Sequence, residues 1–135
     1  MADTVPVREG LFTTSSDGTA RLVGGRCRSC GQHQFPLAAT CPYCSDGEVD
    51  EVLLSPDGSL WAWTAVTAPP PGYLGDVPFG FGVVELPEGV RVITRLTEPE
   101  PARLRFGQDM RLSVVPIHTD DDGRTVVTYA FRSPA

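Results

Sequence analysis

Cysteine occurs four times in this 135-residue chain, at Cys27, Cys30, Cys41 and Cys44. All four fall in one stretch, CRSCGQHQFPLAATCPYC, as two Cys-x-x-Cys pairs with ten residues between them. A disulfide inside one such pair would close too small a loop to constrain the unfolded chain, and thiols in the cytosol stay reduced. A redox dithiol would need one pair opening a helix within a βαβ pattern, whereas both pairs here lie among turn residues. Metal ligation is the chemistry this spacing serves. Each pair can fold as a knuckle that aims two thiolates at one point, and Gly31, directly after Cys30, supplies the permissive backbone such a turn needs. Together the four make a closed tetrahedral sulfur shell that suits a structural Zn2+ and leaves no open position for an activated water. Iron in the same shell would make an electron carrier. His33, between the pairs, reads as a solvated loop residue, and so does His118 at the end of an expected strand.

The flanks of the cluster must bring the two pairs together. Residues 14–25, TSSDGTARLVGG, carry an Asp-Gly turn at Asp17 and Gly18 followed by a short apolar run, a hairpin-like lead into the first knuckle. QFPLAAT then returns the chain to the second. The outline is a zinc ribbon of about 35 residues, too small to fold unaided, so the metal is expected to supply most of its stability. CPYC has the look of a rubredoxin knuckle, although the spacer is shorter than rubredoxins use.

Downstream the pattern is β. Residues 58–69, GSLWAWTAVTAP, alternate Leu60, Ala62, Thr64 and Val66 against Trp61, Trp63 and Ala65, a strand period that puts both tryptophans on the face opposite Leu60. They are expected to pack as a second layer beneath the ribbon. FGFGVVEL (79–86) and VRVITRL (90–96) flank the tight turn PEG, and MRLSVVPIH (110–118) and TVVTYAF (125–131) flank TDDDGR. No long helical period and no internal repeat is present. The expected fold is all-β: an N-terminal segment and rubredoxin-like zinc ribbon over residues 1–48, then a five-stranded OB-fold barrel over residues 49–135, in which closure removes aggregation-prone edges.

Composition narrows the function. The net charge of −6 weighs against binding through phosphate neutralisation. All eleven cations are arginine and they are scattered. The longest apolar run is far too short to cross a bilayer, and the start has no basic segment followed by an apolar one, so a soluble cytoplasmic protein is expected. There is no Lys for a Schiff base, no phosphate-cradling Gly-rich loop, no nucleophile elbow and no Ser/His/Asp grouping. The acidic run at Asp120 to Asp122 reads as a hairpin tip.

These features, GGRCRSCG, FP, CPYC, GSLWAWTAV, a Pro/Gly loop, PFGFGVVELPEGVRV and RFGQDM, resemble the zinc-ribbon OB-fold proteins that accompany acyl-CoA enzymes, across nearly all of residues 11–131. The resemblance implies a non-catalytic accessory subunit holding a structural zinc. Its implied partner is a thiolase, a thiolase-like lipid-transfer or aldolase protein, or a related acyl-CoA enzyme that supplies the catalytic groups. The accessory chain docks on it and helps shape the acyl-CoA channel. Two departures stand out: many members begin with a helical hairpin, where VPVREGLFTTSSDG is short and turn-rich, and many carry an Arg soon after the Phe-Pro step, where Leu37, Ala38 and Ala39 follow here. Phe35 in the ribbon, and Tyr73 and Phe79 on the loop of residues 68–80, are the expected contact residues for partner and acyl-CoA. Two other functions fit the same elements: a nucleic-acid binder using Arg91, Arg95, Arg103 and Arg105, and a rubredoxin-like electron carrier.

Overall fold

The computed structural model describes residues 4–45 and 47–134. Among them the alternating apolar runs form ten strands: β1 (Thr4–Pro6), β2 (Phe12–Thr14), β3 (Ala20–Cys27), β4 (His33–Gln34), β5 (Val49–Leu53), β6 (Asp57–Val66), β7 (Phe79–Glu85), β8 (Arg91–Leu96), β9 (Asp109–Thr119) and β10 (Thr125–Arg132). Among the described residues the helical content is one 3-10 turn at Pro101–Arg103, and no helix is long and apolar enough to cross a membrane.

Five of these strands close on themselves. β6 pairs antiparallel with β7 and β7 with β8. β8 runs parallel to β10, and β10 pairs antiparallel with β9. β9 then returns to β6 through Asp57 opposite Arg111, Gly58 opposite Met110 and Ser59 opposite Asp109. The ring β6-β7-β8-β10-β9 is the expected five-stranded OB barrel. Its interior is filled by every second residue: on β8, Val92, Thr94 and Leu96 point in while Arg91 and Ile93 face out. The tight turn after β7 forms as PEG predicts, with the Gly89 N–H on the Leu86 carbonyl at 2.9 Å and the Leu86 N–H on the Val90 carbonyl at 2.9 Å. The turn-rich start is strand, not helix: β1 lies parallel along β10, Thr4 opposite Thr125.

The tryptophans depart from the expected alternation. A β-bulge lies between Leu60 and Ala62, so Trp61 has no partner across the ladder and the facing of the strand resets. Leu60, 1% exposed, and Trp63 therefore both meet the core, while Trp61 stays outside at 41% exposure with the Arg91 guanidinium 4.2 Å over its ring. The Trp63 indole N–H reaches the Pro101 carbonyl at 3.1 Å, which ties the 3-10 turn to the barrel.

The ribbon is built on β3, with β2 hydrogen-bonded near its start and β4 and β5 along its later residues. It shares the barrel's core. Leu22 and Leu54 are fully buried in one cluster with Leu60, Val84, Val92, Met110 and Phe131. The Leu54 N–H to Leu22 carbonyl bond, 2.9 Å, carries the β3–β5 ladder up to the barrel.

The bulge depends on a close approach that only glycine permits. A Cβ on Gly82, opposite Trp63, would lie 2.2 Å from the Ala62 carbonyl oxygen, which is backbone and cannot rotate aside. Gly82→Ala is expected to lower stability by about 2–3 kcal/mol in urea unfolding. Gly47→Ala, where a Cβ meets nothing within 4 Å, should stay within about 0.5 kcal/mol of the parent.

Candidate metal centre and partner surface

Two matching turns present the four thiols. The first begins where β3 ends: the Gly31 N–H bonds the Cys27 carbonyl at 3.0 Å, and the Cys30 N–H points at the Cys27 Sγ at 3.5 Å. In the second, the Ser45 N–H bonds the Cys41 carbonyl at 2.9 Å and the Tyr43 N–H points at the Cys41 Sγ at 3.4 Å. The residue after each pair is left-handed, Gly31 at φ 77° and Ser45 at φ 66°. The sequence supplies glycine to one turn and leaves the other with a Cβ that costs about 1–2 kcal/mol there.

The four Sγ atoms lie within 4.8 Å of one another, with Cys27 to Cys44 at 3.5 Å and Cys30 to Cys41 at 3.6 Å. A tetrahedral site with metal–sulfur bonds near 2.3 Å has sulfur–sulfur edges of about 3.8 Å, so the shell fits Zn2+ with little adjustment. None of the four cysteines is in a disulfide; Cys27 and Cys41 are buried, Cys30 and Cys44 exposed. The Cys27 thiol is pulled down to about 7, chiefly by the Cys30 N–H, which favours its thiolate. The Cys30 thiol is also pulled down by the Gln32 N–H, but burial and the sulfurs of Cys41 and Cys27 outweigh it and the net shift is upward. Bringing both to thiolate is work that a bound cation does. His33 is not among the converging ligands; it sits on β4 opposite Arg26. The His118 ring lies against the Thr119 carbonyl at 3.2 Å. Beside the first knuckle, Arg28 reaches Asp50 at 2.7 Å and Glu48 at 3.5 Å, an exposed cluster that water screens.

The three expected contact residues are not part of this shell and engage the chain's own barrel, with Phe35 also lining a surface hollow beside Pro42 and Tyr43 of the second turn. Phe35 packs edge-on to Tyr129 of β10, ring centres 5.5 Å apart. Tyr73 and Phe79 stack at 5.1 Å, and Arg95 locks the pair, its guanidinium 4.5 Å over Phe79 and its Nη1 donating to the Tyr73 hydroxyl at 2.7 Å. That hydroxyl donates to the Asp76 carbonyl at 2.8 Å, so the Pro/Gly loop is folded against the barrel wall. The loop shows to solvent the apolar Leu74, 69% exposed, which is not among the expected contact residues. Its signal was the tip position between Gly72 and Gly75.

Sequence comparison places both halves. The ChsH2 rubredoxin-like zinc ribbon domain matches residues 19–50 and the ChsH2 C-terminal OB-fold domain matches residues 51–115. The chain belongs to the ChsH2 zinc-ribbon and OB-fold family. Relatives in the family include a DUF35 domain-containing scaffold protein of Pyrococcus furiosus, 34% identical over 83% of this chain and 82% of the relative. Another is the benzoylsuccinyl-CoA thiolase subunit BbsA of Thauera aromatica, 33% identical over 90% of this chain and 83% of the relative. A solved structure, the Ltp2-ChsH2(DUF35) aldolase, matches with a TM-score of 0.66 at 26% identity, covering 85% of this chain and 86% of that one. The four clustered cysteines thus stand in a zinc ribbon, the family's metal-binding element.

Two substitutions separate metal from backbone. Cys41→Ser is expected to abolish tight zinc retention in elemental analysis and to expose the ribbon amides to hydrogen exchange, while those of β7 and β8 stay protected. Ser45→Gly should retain one zinc per chain and raise the ribbon's resistance to chelator, because the left-handed residue no longer carries a Cβ.

Proposed function

We propose that this chain is a non-catalytic accessory subunit that docks on a thiolase-like or related acyl-CoA enzyme and helps to form its acyl-CoA channel. The observation that carries the reading is the 33% identity with a protein named as a CoA-thiolase subunit, because the aligned region embraces ribbon and barrel together and nearly spans both chains. The scaffold-protein relative and the aldolase structure support it from two further directions. The chemistry is consistent: the chain's clustered nucleophiles, Cys27, Cys30, Cys41 and Cys44, are directed at one another around a closed shell, which supplies fold stability in place of a reactive position. When bound there, zinc contributes rigidity to the two turns. The ribbon's residues hold the turns in register and keep the barrel end covered.

Within this reading Phe35, Tyr73 and Phe79 lie in or beside the contact, with the Pro/Gly loop near the acyl-CoA entrance. The Arg95 stack fixes the loop in advance, so docking would cost little ordering of the segment. Aromatic and arginine side chains are the usual anchors of protein interfaces.

Co-expression with the thiolase-like polypeptides of its own genome tests the reading. The isolated chain should give background rates in thiolysis, condensation, hydration and retro-aldol assays, and one such polypeptide should co-purify with it and gain activity. Turnover by the isolated chain after removal of host thiolases would overturn it. The joint change Tyr73→Ala and Phe79→Ala should reduce co-purification at least about tenfold with the β7–β8 amides still protected; parallel loss of complex and barrel protection would assign the two rings to stability alone.

A further inference from the structure

The thiol shell is divided in two ways, by turn and by exposure, and the divisions cross. Cys27 and Cys30 belong to the first turn and Cys41 and Cys44 to the second, while Cys27 and Cys41 are buried and Cys30 and Cys44 are exposed. Two close sulfur contacts link the turns: the Cys27 Sγ lies 3.5 Å from the Cys44 Sγ, and the Cys30 Sγ lies 3.6 Å from the Cys41 Sγ. Each contact joins an exposed sulfur to a buried one.

An exposed thiolate is open to a dissolved oxidant, and a second thiolate close by can trap the product before it oxidises further. With hydrogen peroxide, the Cys44 or Cys30 sulfur attacks one peroxide oxygen, the O–O bond breaks, and the departing hydroxide takes a proton to become water. The sulfenic acid left behind is attacked by the buried sulfur across the contact; an S–S bond forms and a second hydroxide leaves, again as water. Each disulfide thus consumes one peroxide, two thiolates and two protons and yields two waters. Two such events use up all four ligands, and a bound zinc is released. A thiol reductant reverses the change through mixed disulfides and returns four cysteines to the site.

Pairing across the turns also fixes what the metal fixed. Cys27 ends β3, whereas the second turn stands in a segment, residues 35 to 45, without a described strand. The cross-turn bonds would close loops between residues 17 and 11 positions apart and tie that segment to the β3 ladder. A bond inside either Cys-x-x-Cys closes a loop too small to do so. Drawing the paired sulfurs from zinc-set edges of about 3.8 Å to a bond of about 2.0 Å shifts the second turn, whose Pro42 and Tyr43 share a surface hollow with Phe35 and Arg91. We propose that the ribbon is a peroxide-responsive switch, which exchanges its zinc for the disulfides Cys27–Cys44 and Cys30–Cys41 and returns to the zinc form on reduction.

Titrating the full-length zinc-loaded chain with hydrogen peroxide tests this, with released zinc read by a chromogenic chelator and disulfides located by non-reducing peptide mapping. One zinc should leave for every two peroxides consumed, and the map should show the two cross-turn bonds. Ribbon amides of the oxidised chain should exchange at least about tenfold more slowly than those of the reduced, zinc-free chain, and dithiothreitol with added zinc should restore the starting form. Prepared without zinc, the variant Cys30→Ser with Cys41→Ser should form its disulfide at least about tenfold faster than Cys41→Ser with Cys44→Ser. The map of the parent chain decides the pairing if either variant fails to fold. Zinc retained at peroxide levels that oxidise the urea-unfolded chain, within-turn or scrambled pairs, or sulfinic acid in place of disulfide would overturn the switch. So would ribbon exchange as fast as in the reduced, zinc-free chain, equal oxidation rates of the two variants, or failure of reductant and zinc to restore the site.

Discussion

The fold depends on two leucines that belong to the ribbon by chain position and to the barrel by burial. Leu22 on β3 and Leu54 just after β5 are joined by a backbone hydrogen bond and sit fully buried beside Leu60, Val84 and Phe131. A ribbon of this size has too little apolar area for a core of its own. It acquires one by sharing the barrel's, since this pair packs in one buried cluster with the barrel's own side chains. Burial of two leucines is worth about 3–6 kcal/mol, comparable to the whole stability of many small domains. Gly24 is the concession to that fit, since a Cβ there would lie 2.6 Å from the Gln34 carbonyl and 2.8 Å from Leu54.

Metal binding acts at the opposite end of the same strand. β3, eight residues from Ala20 to Cys27, carries Leu22 in the shared core near one end and Cys27 in the thiol shell at the other. The barrel therefore fixes the first knuckle's position, and the metal has only to draw in the second, whose segment from residue 35 to 45 contains no described strand. Zinc closes a site that is half placed. Its free energy is spent on deprotonating thiols and fixing the second turn rather than on creating the ribbon's direction. The strongly polar outer shell of Arg28, Glu48 and Asp50 is exposed and adds only a little to this.

Most of this was legible because local patterns and tertiary structure agree. The residue-two period and the turns PEG and TDDDGR located β7 to β10 within a residue or two at each end, and strand order alone implied closure. The thiol shell was legible from spacing, since two Cys-x-x-Cys turns have few other uses. What escaped was long-range. β1 is three residues including a proline and exists because β10 is beside it, and β5, with Asp50 and Glu51 in it, is defined by its ladder to β3. The bulge at Trp61 left no local mark, so both tryptophans were put on one face; the close approach beside it is to Gly82, a residue on the neighbouring strand. Arg103, Arg105 and Arg132 line one cleft although the chain separates them, a grouping that a linear string does not show.

Closure has a consequence for how such a chain can meet others. An open sheet can recruit a partner by hydrogen-bonding to its edge, but in this barrel each of the five strands is hydrogen-bonded on both sides for part of its length, and β1 further covers β10. Recognition is thereby shifted from backbone to side chains and loop tips. The sequence places its unusual surface chemistry on those features: the Pro/Gly loop pinned by Arg95, the Trp61–Arg91 stack on the barrel wall, and the RFGQ turn holding Phe106 in water. Each is rigidly mounted, by a hydroxyl bond, a bulge or a pair of backbone bonds to β6. Side chains fixed in advance lose little conformational entropy on contact, so a small chain with a modest surface can still bind selectively. A closed barrel carrying stiff, aromatic and arginine-bearing projections thus offers pre-set side chains, rather than a sheet edge, to whatever meets its surface.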